Sequence, residues 1–275
     1  MADFARSTDP QVQAQLDRLS KLSPAGDRLG LERIAALLER LGRPQDELPP
    51  VFHVAGTNGK GSTVAFLRAA LEASGHSVHA FTSPHLVRFN ERIRTAGRLI
   101  DDDELAQTLE EVIDVGRGIE PSFFEVAAAV AFVAFARTTA DACILEVGLG
   151  GRLDATNVIE KPLVTGIANL ALDHQQFLGD ELAGIAGEKA AIAKRGVPLV
   201  TQLYPPAIAT RVEQVALERG ATWLPRGRLW DAIAQHGKLR YEDEQGELRL
   251  PLPRLPGRHQ GMNAALFSAM LRHQD

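Results

Sequence analysis

His53-Val54-Ala55-Gly56-Thr57-Asn58-Gly59-Lys60-Gly61-Ser62-Thr63 joins a short apolar run to a segment with helical spacing. A strand, a glycine-rich turn and a helix start, in that order, make a phosphate-binding loop. Glycines let backbone N–H groups point inward, the helix N-terminus adds partial positive charge, and a lysine neutralises phosphate oxygens. The segment departs twice from G-x-x-x-x-G-K-[ST]: Val54 takes the first glycine position, and Gly61 stands where a hydroxyl is usual. A plain Gly-rich turn is the competing reading.

Four other residues have the right chemistry for phosphate and metal work. Glu146 ends an apolar run, where an open α/β sheet binds ligands, and a carboxylate there suits Mg²⁺; a solvated strand-end acid is the alternative. Ser83 follows another such run, although Ser-Pro by itself marks only a turn. His174 lies in a loop after a strand, with Lys189 in the next helical segment. By itself Lys189 reads as a solvated helix lysine, and an ammonium has no lone pair for a metal. Ser122-Phe123-Phe124-Glu125 opens the most apolar helical segment, so its rings suit either the core or a flat aromatic ligand. Asp101-Asp102-Asp103-Glu104 precedes a helix and reads as capping, and Glu242-Asp243-Glu244 flanks a turn and reads as solvated surface.

These residues need a scaffold, and the chain spells one out. Val51–Ala55, Ser77–Thr82, Ala142–Val147, Leu163–Ala168 and Pro198–Leu203 read as buried strands. Leu31–Leu41, Ser62–Ala73, Asp103–Val115, Phe123–Arg137, Glu181–Lys194, Ala207–Arg219 and Asn263–Leu271 read as helices. The alternation predicts an α/β fold, a doubly wound, mainly parallel sheet. Leu239–Leu252, folded at Gln245-Gly246, predicts a small antiparallel hairpin appended to it. Residues 1–257 are expected to form one nucleotide-binding domain, with 258–275 a linker and helix after Pro251, Pro253, Pro256 and Gly257.

The 275 residues carry 30 Lys and Arg against 35 Asp and Glu, a net charge of −5. That balance argues against nucleic acid or an anionic membrane as partner. The single cysteine, Cys143, excludes an intramolecular disulfide, and the longest apolar run, Val126–Ala136, is 11 residues, too short to span a bilayer. Met1–Arg6 has no apolar stretch of the secretory kind. The expectation is a monomeric, cytoplasmic protein acting on small molecules.

Gly56-Thr57-Asn58-Gly59-Lys60-Gly61-Ser62 resembles the variant phosphate loop of the Mur-ligase superfamily, and within it the dihydrofolate synthase/folylpolyglutamate synthase family. Thr82-Ser83-Pro84-His85-Leu86 through Asn90-Glu91-Arg92-Ile93 is similar to the family's second signature, and Leu145-Glu146 through Gly150-Gly151-Arg152-Leu153-Asp154-Ala155-Thr156-Asn157 to its third. Leu172-Asp173-His174 with Glu188-Lys189-Ala190 resembles the fourth, and Pro256-Gly257-Arg258-His259-Gln260 with Asn263-Ala264-Ala265 the fifth. The motifs run in family order from about Leu29 to Ala265. Ala191 stands where the family has glycine.

The resemblance implies an ATP-dependent ligase that joins L-glutamate to dihydropteroate or to folates through an acyl phosphate. It assigns ATP to Gly56, Thr57, Asn58, Gly59, Lys60, Gly61 and Ser62, with Asn263 at the adenine. Ser83 and Glu146 would hold one Mg²⁺; His174 and a carbamylated Lys189 would hold a second. Catalysis would rest on Lys60, Glu146, His174 and Lys189. Asp27, Arg28, Leu29, Gly30, Ser122, Phe123, Phe124, Glu125, Leu153, Asp154 and Ala155 would border the pterin–aminobenzoate group. The family carries a second, C-terminal α/β domain that closes over ATP, and this chain ends at Asp275, about where that domain begins. The rival expectations are therefore a catalytically inert nucleotide-binding fragment and another Mur-type ligase, acting on a cell-wall precursor.

Overall fold

The computed structural model of the protein describes residues 6–22 and 29–274. In chain order these form α1 (Pro10–Leu22), α2 (Glu32–Arg40), β1 (Val51–Ala55), α3 (Lys60–Ala73), β2 (Val78–Phe81), β3 (Ile93–Thr95), β4 (Arg98–Leu99), α4 (Asp102–Val115), α5 (Phe123–Arg137) and β5 (Ala142–Glu146). There follow β6 (Val164–Ile167), α6 (Gln175–Leu178), α7 (Leu182–Ala190), β7 (Pro198–Thr201), α8 (Pro206–Arg219), β8 (Thr222–Pro225), β9 (Trp230–Gln235), β10 (Lys238–Asp243), β11 (Gly246–Pro251) and α9 (His259–Arg272).

Two compact units emerge. The first lies within Met1–Pro50, Leu71–Gly148 and Leu153–Ile159. Its strands run in the order β4-β3-β2-β5, with β2 and β5 parallel and the β3–β4 pair antiparallel at the edge. α5 packs against α4 and α2. Its Ala, Val and Phe residues are buried from Val126 to Phe135, as a helix apolar on all sides must be. Ser122 and Glu125 start it with a reciprocal capping box, and the Asp101 carboxylate accepts from the Glu104 N–H to start α4.

The second unit comprises Val51–Ala70, Leu149–Arg152 and the chain from Glu160 onward. Its strands run β1-β6-β7-β8, all parallel, and a second sheet, β11-β10-β9, is antiparallel. β1 is buried at every position, as a strand covered on both faces should be. The α/β class, the mainly parallel pairing and the small antiparallel sheet agree with the sequence. The expected hairpin is there, but β9 extends it to three strands. α9, in the segment read as linker and helix, packs on β6, β7, β9 and β10. No helix of the described residues is long and apolar enough to cross a membrane.

Two buried histidines make stability depend on pH. Burial, and then the charge of Lys194, push the His53 pKa down to about 3. Burial also lowers that of His79, whose Nε2 donates to the Thr138 carbonyl and whose Nδ1 accepts from the Ala96 N–H. The unfolded chain takes up protons below about pH 6.5 while the fold keeps the His53 ring neutral and opposes protonation of His79. Stability is therefore full above 6.5 and falls as pH drops toward 3, by about 1.4 kcal/mol per pH unit for His53 alone. Urea unfolding at pH 5.0 should give a free energy about 2 kcal/mol below that at pH 7.5, with a smaller difference in His53→Asn. Equal differences in the two proteins would contradict this.

Candidate functional site

The phosphate loop lies wholly in the second unit. β1 ends at Ala55 and α3 begins at Lys60, so Gly56–Gly59 form the turn between them. Gly59 has φ +88°, and a Cβ there would lie 2.3 Å from Asn263 Oδ1, so only glycine serves. Asn263, expected at an adenine, thus packs against the loop; it is 4% exposed and its Nδ2 donates to Gln260 Oε1 at 3.0 Å.

The loop's far side is pinned. The N–H groups of Thr57 and Asn58 both donate to the Asn169 carbonyl, at 2.8 and 3.3 Å. Thr57 Oγ1 donates to the Ala171 carbonyl at 3.0 Å and accepts from the Ala171 N–H at 3.1 Å. Those two amides are committed to protein. The first bond closing α3 runs from Thr63 N to Gly59 O at 2.9 Å, which leaves the N–H groups of Lys60, Gly61 and Ser62 ahead of the helical ladder. Donors for a phosphate are concentrated at Gly59–Ser62, more narrowly than the sequence suggested. Asn169, with no signal beyond its place after a buried strand, is the residue that sequence reasoning missed.

Lys60 and Lys189 converge on one oxygen. Lys60 Nζ donates to Gly56 O at 3.1 Å and to Thr57 O at 3.3 Å, and Lys189 Nζ donates to Gly56 O at 3.2 Å. Lys189 is only 2% exposed, so the reading of it as a solvated helix lysine fails. Its helix is brought in closely: a Cβ on Gly151 would lie 2.6 Å from the Glu188 carbonyl and 3.0 Å from Lys189 Cα. A lysine among Ala186, Gly187, Ala190 and Ala191 carried the signal for burial in its small neighbours. His174 is not drawn into this group. It starts α6 with φ 48°, its side chain is 42% exposed, and Nε2 lies 3.5 Å from Asp173 Oδ2.

A second cluster lies in the first unit. Glu146 ends β5, is 4% exposed, and accepts at Oε2 from the Ser83 N–H at 3.2 Å. Ser83 precedes Pro84 through a cis peptide bond. The loop beyond is clamped by Glu91, whose carboxylate accepts from the N–H groups of Leu86, Val87 and Arg88 at 2.7, 3.0 and 2.9 Å. Burial raises the Glu91 pKa, but these three bonds together outweigh it, and the net shift is downward. Among the described residues no group of three or more His, Cys, Asp and Glu side chains could hold a metal ion by itself. Ser83 and Glu146 are hard oxygen donors of the kind Mg²⁺ takes when phosphates and water complete its shell, so they fit such an ion. Lys189, donating to a carbonyl, does not fit one as an ammonium.

The segment expected to border an aromatic substrate is also in the first unit. Phe124 lies with its ring on Gly148, where a Cβ would be 2.3 Å away, and 5.8 Å from the Phe81 ring. Phe123 meets Phe89 edge-on at 5.9 Å, with the Arg92 guanidinium 5.7 Å from its ring centre. Both phenylalanines are half-buried, partly core and partly accessible. Ser122 and Glu125 are engaged in their cap, and Glu125 Oε2 also meets Arg33 Nε at 3.1 Å. Asp154 staples its own loop: Oδ2 accepts from Gly148 N and Oδ1 from Thr156 N, both at 2.9 Å. Ala155 is buried, Leu153 and Gly30 are half-buried and Leu29 is exposed; Asp27 and Arg28 lie outside the described residues.

No protein-family model matches the chain. It is 40% identical over 256 residues to dihydrofolate synthase/folylpolyglutamate synthase of Bacillus subtilis, covering 88% of this chain and 58% of that protein. Among solved structures, Escherichia coli FolC in complex with DHPP and ADP superposes with a TM-score of 0.88 at 36% identity, covering 96% of this chain and 62% of that one. A bifunctional folylpolyglutamate synthase/dihydrofolate synthase from Yersinia pestis, complexed with AMPPNP and a Mn ion, gives 0.87 at 36% identity, with 98% and 63% covered. The chain spans about three-fifths of the length of these relatives.

Proposed function

The chain belongs to the dihydrofolate synthase/folylpolyglutamate synthase family, and from that premise we propose that it binds ATP in a ligase adding L-glutamate to dihydropteroate or to a folate. The observation that carries this reading is the convergence of Lys60 and Lys189 on the Gly56 carbonyl of a glycine loop that opens a helix. The Lys60 ammonium and the Gly59–Ser62 amides suit a triphosphate. In this reading the substrate carboxylate attacks the γ-phosphate, giving an acyl phosphate and ADP. The glutamate amine then attacks the acyl carbon, and phosphate leaves. Charge on the transferring phosphoryl group is the main barrier in such chemistry, and Lys60 and the loop amides would neutralise it.

Ser83 and Glu146 would hold a Mg²⁺ as hard oxygen donors, a cation that supplies charge neutralisation when bound. His174 with Lys189 would hold a second only if the lysine is carbamylated, since the amine itself has no electrons to give. Half-buried Phe123 and Phe124 would offer the wall for a flat pterin ring. Asn263, against Gly59, would border the nucleotide.

The test is substrate-dependent turnover: ADP release by the whole protein should require both dihydropteroate or a folate and L-glutamate, and amide product should match ADP. ADP release indifferent to the carboxylate substrate would overturn the assignment. The carbamate has its own test. With ¹³C-bicarbonate and Mg²⁺, a carbamate carbon resonance should appear and be absent in Lys189→Arg. No resonance in the unaltered protein would refute it.

A further inference from the structure

Tyr204 follows β7, is 9% exposed, and is not among the residues assigned above. Its hydroxyl lies 2.8 Å from the Ile167 carbonyl and 2.6 Å from the Ala168 carbonyl, at the exit of β6. One proton serves two acceptors, so the phenol holds this strand end by a shared bond. Burial drives its pKa upward, which keeps the group a donor at any working pH.

That strand end is the surface on which the phosphate loop is moulded. The Ala168 N–H donates to the Ala55 carbonyl at 2.9 Å. A Cβ on Gly56 would lie 2.9 Å from the Ala168 methyl, so this residue fixes how closely the loop's first glycine approaches β6. The next residue, Asn169, takes both the Thr57 and Asn58 amides, and Ala171 exchanges hydrogen bonds with Thr57 Oγ1. Every bond that turns those two amides away from a ligand, and leaves Gly59–Ser62 to meet it, ends on residues 169–171. Tyr204 anchors the segment from the other side.

We infer that Tyr204 is a positioning residue for nucleotide binding, acting through Ala168 and Asn169 to set the phosphate loop's shape before any ligand arrives. The inference rests on the phosphate-loop reading but makes a claim of its own about the loop. Preorganised donors bind more tightly because no ordering remains to be done on association.

The experiment compares Tyr204→Phe with the unaltered protein and with Tyr241→Phe. Tyr241 is a second buried phenol of the same unit, bonded to Asp243 at 2.9 Å, and is no part of the loop's support. In Tyr204→Phe, amide exchange at Thr57 and Asn58 should quicken by at least about tenfold while exchange in β10 stays unchanged, and the Kd for ATP with Mg²⁺ should rise about tenfold. Tyr241→Phe should match the unaltered protein in both readouts at the loop, whatever its thermal midpoint. Should Tyr204→Phe not fold, Ala168→Gly removes the methyl beneath Gly56 and should raise the same Kd. Unchanged loop exchange in Tyr204→Phe, or an unchanged Kd in whichever of the two variants folds, overturns the inference. Failure of the unaltered protein to bind ATP would instead strike the phosphate-loop reading, which the amide-exchange comparison does not use.

Discussion

Lys60→Ala should weaken binding of ATP with Mg²⁺ by at least about 100-fold, or about 2.7 kcal/mol, while the fold persists. Lys60 is half-buried at the start of α3, and its ammonium donates to the carbonyls of Gly56 and Thr57. Charge-assisted bonds to phosphate are roughly twice as strong as neutral ones. The neutral Gly59–Ser62 amides remain, but they carry no full charge, and the Thr57 and Asn58 amides are spent on Asn169. Truncation leaves the β1–α3 connection otherwise unaltered, as its apolar anchors are Val64 and Leu67. Calorimetric titration of both proteins, with circular dichroism as the control for folding, gives the answer. Equal affinities would remove the phosphate-loop assignment altogether.

Glu146→Gln should reduce kcat/KM of the whole protein by about 1,000-fold, close to 4 kcal/mol of transition-state stabilisation, and raise the Mg²⁺ concentration needed for half-maximal rate. Glutamine nearly reproduces the shape of this 4%-exposed side chain and retains an oxygen to accept from the Ser83 N–H. What it loses is the negative charge that a hard cation requires. ATP binding measured without metal should therefore be unaffected. A variant with ordinary turnover at the same Mg²⁺ concentration would show that Glu146 holds no metal and serves only to tether Ser83.

Much of this molecule was legible in its sequence because strong local rules coincide. Val51–Ala55 and Phe123–Arg137 have in the structure the bounds their sequence predicts, one an apolar run broken only by His53 ahead of glycine, the other a helix announced by Ser122 and Glu125. β3, β4 and β9 carry little signal in the sequence, for a common reason. The turns that join β3 to β4 and β9 to β10 place Ala96 (φ 46°) and His236 (φ 50°) at positive φ ahead of Gly97 and Gly237. Asn or Asp is the usual sign of such a turn, and neither is present. At the candidate site the chemistry of Lys60 and Glu146 is visible as motif, whereas Lys189's burial shows only in its small neighbours and depends on Gly151 letting a loop of the chain lie against α7. Asn169 and Tyr204 are ordinary residues whose importance arises from which carbonyls and amides the fold brings to them. Ser122, Glu125 and Asp154 show the reverse: residues with functional chemistry whose hydrogen bonds hold their own loops and helix start.

The central claim is that an acyl phosphate links ATP to glutamate addition, and one isotope measurement addresses it. The whole protein is supplied with dihydropteroate labelled with ¹⁸O in its carboxylate, unlabelled ATP, Mg²⁺ and L-glutamate, and the phosphate released is analysed by mass spectrometry. Attack of the carboxylate on the γ-phosphate, followed by displacement by the amine, moves one labelled oxygen into inorganic phosphate for each amide formed. ¹⁸O in phosphate, with ADP as the other product, is the predicted result; ¹⁸O in AMP, or amide formed with unlabelled phosphate, would contradict it.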